Sequence, residues 1–219
     1  MRIDGDWLLT SHRLALHEPT RTAVLADLHL GYSAARRKAG DAIPMRSIAD
    51  ELEPLRQACA AFDIRRLVCA GDLCEAGMSD ALVDSFLASL AECRVELTAI
   101  VPGNHDRGWQ AFRDRLPMMP DGIDVGEWRI VHGDGVLPTG ATMLGHHHPT
   151  WRGRPCFLVG PRRIVLPAFS TDAAGGGVEG KPRWRGYRVF AIQAGEIVEG
   201  ELVGPTKSRH EGLFRRWSH

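Results

Sequence analysis

No run of apolar residues in this chain approaches the roughly 18 that cross a bilayer, so no segment reads as a membrane helix. The opening stretch MRIDGDWLLTSHRLALHEP carries Asp4 and Asp6 where an export signal would be basic and then apolar, and the expectation is a cytoplasmic protein with no membrane partner. Cysteine is sparse: Cys59, Cys69, Cys74, Cys93 and Cys156 make an odd set of 5 with no CxxC pair. That argues against a disulfide framework and a cysteine zinc site, and leaves reduced thiols, mostly in the core. Net charge is absent too, with 27 Lys and Arg against 27 Asp and Glu. The balance is uneven along the chain, because residues 150–219 hold 12 basic against 6 acidic residues and the rest 15 against 21. An acidic first part suits a cation, and a basic last part suits a polyanion or simple solvation.

The chain does have enough apolar residues, 44% of 219, to bury a substantial core, and a single domain spanning residues 1–219 is expected. Short apolar or β-branched runs recur at 22–26, 66–70, 96–101, 129–132, 142–145, 156–159, 163–169, 187–192 and 196–203, and each reads as a strand. Helical patterns lie between the early ones, at 45–62 with an interruption at Pro54, and at 79–93 with Ser79 as N-cap. Strand and helix alternate first, and strands dominate later. The fold class is therefore α/β, a layered sandwich with parallel strands first and a more antiparallel sheet after them. The longest loop-like segment is DAAGGGVEGKP, 172–182.

Five short motifs end apolar runs with metal-ligand side chains: ADLHLG (26–31), AGDLC (70–74), PGNHDR (102–107), VHGDG (131–135) and GHHHP (145–149). In open α/β sheets ligands gather at the carboxyl ends of strands, where Asp27, Asp72, Asn104, His132 and His146 all fall. An extended backbone alternates its side chains. It would turn Asp27 and His29 to one side with Leu28 in the core, and would turn His146 and His148 inward with His147 away. Mixed Asp, Asn and His donors suit Mn²⁺, Fe²⁺ or Zn²⁺ better than Ca²⁺.

The order and spacing of DLH, GD, GNHD, His132 and GHHH resemble the calcineurin-like metallophosphoesterase superfamily, which implies an α/β/β/α sandwich with its metal site at strand ends. The resemblance implies that Asp27, His29 and His148 hold one divalent ion and Asn104, His132 and His146 a second. Asp72 would bridge the two. His105 would act beside the leaving group, with Asp106 either orienting its ring or capping the helix expected at RGWQAF. Two such ions would activate a water for in-line attack on a phosphodiester. The N-terminal WLLT to RRKAG segment, PGNHDR and IVLPAFS are more narrowly similar to bacterial ligase-associated DNA damage response endonucleases. That likeness implies a Mn²⁺-dependent phosphodiesterase and DNA endonuclease of DNA repair, working beside a DNA ligase, a helicase and an exonuclease. Cys74 and Glu75 stand where many of those relatives carry an aromatic or histidine, which touches substrate choice more than hydrolysis.

Arg36, Arg37 and Arg107 are candidate substrate-binding residues, with Lys38 beside the first two. Trp184 among Lys181, Arg183, Arg185 and Arg188 has the makeup of a single-strand surface, or of edge packing. FRRWSH, 214–219, reads as a basic tail. GGGVEGK (175–181) matches a P-loop until Pro182 replaces the required Ser or Thr, so nucleotide binding there is not expected. The competing functions are a phosphoesterase for a small nucleotide or cyclic nucleotide, and a metal-holding scaffold without turnover.

Overall fold

The computed structural model describes residues 1–202. Two sheets face each other. The first runs in chain order through β1 (Arg2–Ile3), β2 (Trp7–Leu9), β3 (Ala15–His17), β4 (Thr22–Leu25), β5 (Arg66–Ala70) and β6 (Glu96–Val101). Its first four strands are antiparallel neighbours, and β4, β5 and β6 are parallel. The second sheet contains β7 (Ile123–Val125), β8 (Trp128–Val131), β9 (Thr142–Leu144), β10 (Pro149–Trp151), β11 (Arg154–Gly160), β12 (Arg163–Val165), β13 (Gly176–Gly177), β14 (Arg188–Gln193) and β15 (Glu196–Gly200). Its spatial order is β13-β10-β11-β12-β9-β8-β7, with β14 joined to β11 and β15. Here β8, β9 and β12 are the parallel group. Each sheet thus contributes three adjacent parallel strands, which is what brings their carboxyl ends together at one edge.

Period-two alternation assigns the layers. In β4 and β5, Leu25, Leu67 and Cys69 pack toward the helices while Val24, Val68 and Ala70 pack toward the second sheet. Both faces of these strands are buried, so they read as unbroken apolar runs. The inter-sheet core closes with Ile130, Met143, Phe157, Ile164 and Phe190. Helices α2 (Ile48–Ala61) and α3 (Asp80–Cys93) cover the other face of the first sheet through Leu52, Leu55, Val83 and Phe86. A shorter helix, α1 (Tyr32–Lys38), follows the first motif. The outer face of the second sheet is covered, among the described residues, by Val178 and by Trp184 of a 3₁₀ turn at Pro182–Trp184, without an α-helix. Among the described residues the fourth layer of the sandwich is therefore a loop with one turn.

Both expected long helices form. Ser47 starts α2 with a reciprocal capping box to Asp50, and the Ser79 hydroxyl accepts from the Leu82 amide at the start of α3. Pro54 sits inside α2 and does not interrupt it. A proline there cannot donate to the Asp50 carbonyl, and Arg46 Nη2 donates to that oxygen at 2.8 Å instead. Strands β1, β2, β3, β7, β10 and β13 were absent from the sequence reading. They span two or three residues each, too short for alternation to register. The segment RGWQAF forms a 3₁₀ turn, Trp109–Phe112, whose N-cap is Gly108 with no side-chain bond, so Asp106 does not cap it. FRRWSH and the last residue of the expected strand 196–203 lie outside the described residues.

Candidate metal centre

Asp27 follows β4, Asp72 follows β5, Asn104 follows β6, His132 follows β8, and His146 and His148 follow β9. The backbone that presents them is not extended. Asp27, His29, Asp72, His146 and His148 have φ of 57°, 51°, 44°, 64° and 41°. Left-handed backbone at such residues costs on the order of 1–3 kcal/mol each and is held only where surrounding bonds insist on it. Those bonds are present: the amides of Asp27 and His29 donate to the carbonyls of Gly71 and Asp72 at 3.1 and 2.8 Å. Leu28 still enters the core. The expected sidedness thus arises from cross-linking of two loops, and not from strand pleating.

Two donor sets result. Asp27, His29 and His148 converge in one, and Asp72, His132 and His146 in the other; beside the first, Glu75 and His105 approach His29 in a further grouping that shares this residue. In the first, His29 Nε2 and His148 Nε2 lie 3.3 Å apart, with Asp27 Oδ2 3.5 Å from His148 Nε2. In the second, His146 Nδ1 and His132 Nε2 lie 3.2 Å apart, with Asp72 Oδ2 3.5 Å and Asn104 Oδ1 3.2 Å from His132 Nε2. The outer nitrogens of His132 and His148 face backbone carbonyls, Ala70 at 3.3 Å and Ala174 at 3.1 Å. A carbonyl only accepts, so these nitrogens carry the hydrogen and the inward ones present lone pairs. Facing lone pairs beside carboxylates repel unless a cation or proton lies between them. Buried Asp27 Oδ1 has no hydrogen-bond partner. These residues fit a pair of divalent cations.

The approach is so close that no side chain fits at Gly71, Gly103 or Gly145. A Cβ on Gly71, at φ 92°, would fall 1.8 Å from His132 Nδ1, and one on Gly145 would fall 2.7 Å from Asp27 Oδ2. Burial lowers the pKa of His146, with help from the neighbouring His132. Burial also acts to lower that of His148, but the Asp27 carboxylate outweighs it and the net shift is upward. The Asp72 carboxylate acts in the upward direction on both rings, as the smallest of the contributions.

A calcineurin-like phosphoesterase family model matches residues 20–164, which include all five motifs. The chain belongs to this family. Members are divalent-metal hydrolases of phosphoric esters, and the donor sets lie within the matched span. No curated protein sequence matches the chain. Among solved structures, the Pseudomonas putida nuclease MPE is similar in fold, with a TM-score of 0.70 at 20% identity, covering 91% of this chain and 98% of that one. The α/β two-sheet architecture is thus that of the metallophosphoesterases. Among the described residues no helix is long and apolar enough to cross a membrane.

In this phosphoesterase, His105 lies outside both donor sets, half-exposed at the rim, with Nδ1 2.7 Å from the Glu75 carbonyl, which leaves Nε2 free. Its amide donates to Asp72 Oδ1 at 2.8 Å. Asp106 does not touch the His105 ring. Its carboxylate is fully buried and accepts from the amides of Leu73, Cys74 and Gly103 at 3.2, 2.9 and 3.0 Å. Burial raises its pKa despite those bonds. Asp106 is a brace between two loops, and the catalytic role given to it by sequence has no geometric support. Glu75, which sequence related to substrate choice only, has its carboxylate 2.7 Å from His29 Nδ1 and 3.6 Å from His105 Nδ1. Its place three residues after Asp72, and its standing where many relatives carry an aromatic or histidine, were the available signals.

His147 points away from both donor sets and packs edge-on to Trp184, with centroids 5.2 Å apart. Burial, then His146 and Arg183, push its pKa down to about 4. Of the candidate substrate cations, Arg36 pairs with Asp41 at 2.5 Å and Arg37 donates to the Ile43 carbonyl at 3.1 Å. Arg107 is exposed, and its carbonyl accepts from the Met78 amide. Arg188 pairs with Glu199 at 2.8 Å, whereas Lys181, Arg183 and Arg185 are exposed and have no ion pair among the described residues. Lys181 precedes a 3₁₀ turn and then a strand, which is not P-loop geometry.

Proposed function

We propose that the protein is a binuclear, Mn²⁺-dependent phosphodiesterase that cleaves DNA endonucleolytically. The observation that carries this reading is the pair of donor sets, each with two facing imidazole nitrogens and a carboxylate. Asp27, His29 and His148 would hold one ion, Asn104, His132 and His146 the other, and Asp72 would serve both. Divalent ions held there supply charge neutralisation to a phosphate and lower the pKa of a water molecule. His105, with Nε2 free at the rim, donates a proton to the departing oxygen. Asp72 accepts the His105 amide and so fixes that ring relative to the ligands. DNA as substrate is supported by the likeness to a nuclease and by Lys181, Arg183 and Arg185 near Trp184, which have no ion pair among the described residues. The repair setting, with a ligase, a helicase and an exonuclease, rests on the sequence resemblance alone, and a cytoplasmic location rests on Asp4 and Asp6 in the N-terminal stretch. The shared inter-sheet core supports one domain over the described residues, and its extension to residue 219 rests on the sequence reading.

A small nucleotide or cyclic nucleotide is the second reading, favoured by the neutralisation of Arg36 and Arg188 through Asp41 and Glu199. The deciding experiment refills metal-free protein with Mn²⁺, Fe²⁺ or Zn²⁺ and compares a nitrophenyl diester, cyclic nucleotides, and single- and double-stranded DNA. Asp72→Asn serves as the control for the site and is expected to abolish turnover. Cleavage of circular DNA by the wild type supports the endonuclease. Turnover of cyclic nucleotides with no DNA cleavage selects the second reading.

A further inference from the structure

The inward-facing histidines differ in what holds their outer nitrogen. His132 and His148 each lean on a backbone carbonyl, which no side-chain substitution removes. His29, 3% exposed, has no carbonyl at Nδ1 and instead has Glu75 Oε2 at 2.7 Å, close but imperfectly aligned for a hydrogen bond. Glu75 itself is anchored on both sides. Its amide donates to the Leu30 carbonyl at 3.0 Å, next to His29 in the chain, and its carbonyl faces His105 Nδ1 at 2.7 Å. Its side chain is 14% exposed, so water competes poorly for the carboxylate.

We infer that Glu75 is a positioning residue for the cation held by Asp27, His29 and His148, keeping the hydrogen of His29 on Nδ1 and Nε2 turned toward the other two ligands. This rests on the two-cation reading above. A carboxylate is a stronger acceptor than a carbonyl and raises the donor strength of the opposite nitrogen. The effect is confined to one of the two sets, because His132 and His146 make no contact with Glu75. The same carboxylate also approaches His105, so the ring at the rim and the ligand below it share one support.

The test titrates metal-free wild type, Glu75→Gln and Glu75→Ala with Mn²⁺ by calorimetry. Imidazole ¹⁵N spectra of the Zn²⁺-loaded proteins report the His29 tautomer. Two ions are expected in wild type. In Glu75→Ala one affinity should stay and the other fall about 10- to 100-fold, with loss of the single Nδ1–H tautomer at His29. The amide oxygen of Glu75→Gln still accepts, so that variant should lie nearer wild type. A wild type that binds fewer than two ions overturns the two-cation reading itself. Two intact affinities and an unshifted His29 tautomer in Glu75→Ala overturn only the role of Glu75. Loss of a third ion with the other two unchanged overturns it as well, because Glu75 would then be a ligand with His29 and His105. Loss of both ions in Glu75→Gln with a lowered metal-free melting temperature would make it a structural residue and also overturn the inference.

Discussion

In GHHHP the outer histidines serve different donor sets and the middle one serves neither. Alanine at His146 or His148 should each remove one bound ion, seen by metal analysis after dialysis, with activity falling with it. His147→Ala should retain both ions and lose only its edge contact with Trp184, worth about 0.5–1.5 kcal/mol in thermal unfolding. Equal metal loss at all three positions would contradict the two-set geometry. His105 gives a separate contrast, since it lies outside both sets and presents a free Nε2. His105→Ala should keep its metals and slow hydrolysis of a DNA diester by roughly 10²- to 10⁴-fold. A nitrophenyl ester should suffer far less, because its leaving group needs little protonation. Equal losses on the two substrates would reassign His105 to positioning.

Between elements, the loop after β5 and the loop after β6 are joined by the Asp106 carboxylate, which satisfies three amides at once. A buried donor left unsatisfied costs about 1–3 kcal/mol. Asp106→Ala should therefore destabilise the metal-free protein by at least about 3 kcal/mol in urea denaturation, and any loss of activity should follow from loosened loops. A change below about 1 kcal/mol would mean that water replaces the carboxylate. The same loops explain why Gly71 and Gly145 sit where they do, since a side chain at either would collide with the His132 ring or the Asp27 carboxylate.

For the molecule as a whole, cleavage of a polyanion requires cations beyond the metals. Replacing Lys181, Arg183 and Arg185 together should weaken DNA binding and reduce the slope of log affinity against log salt by about 0.7 to 0.9 per lost phosphate contact. Arg188 is left out because Glu199 already engages it. Fluorescence anisotropy at several salt concentrations measures the slope. An unchanged slope would shift the DNA track to Arg36, Arg37 and Lys38 on α1.

The sequence by itself determined the chemistry of the centre and the strands that carry it. Asp, Asn and His at the ends of apolar runs are donor types that suit borderline metals, and the short apolar runs mark strands, of which β4 and β5 are buried on both faces. Donor type and period are local properties, readable without coordinates. What decided the rest is tertiary. The left-handed backbone at Asp27, His29, His146 and His148 exists because one loop bonds to another that is distant in the chain. For the same reason Asp106 was misread: its partners are the amides of Leu73 and Cys74, more than thirty positions away, and adjacency to His105 carried no information about them. Glu75 was related to substrate choice and not to the ligands, because its contacts are with two ring nitrogens that only the packing of three loops brings within reach. Arg188 lost its candidacy to a neighbouring strand, since an ion pair across β14 and β15 is set by register and not by sequence separation.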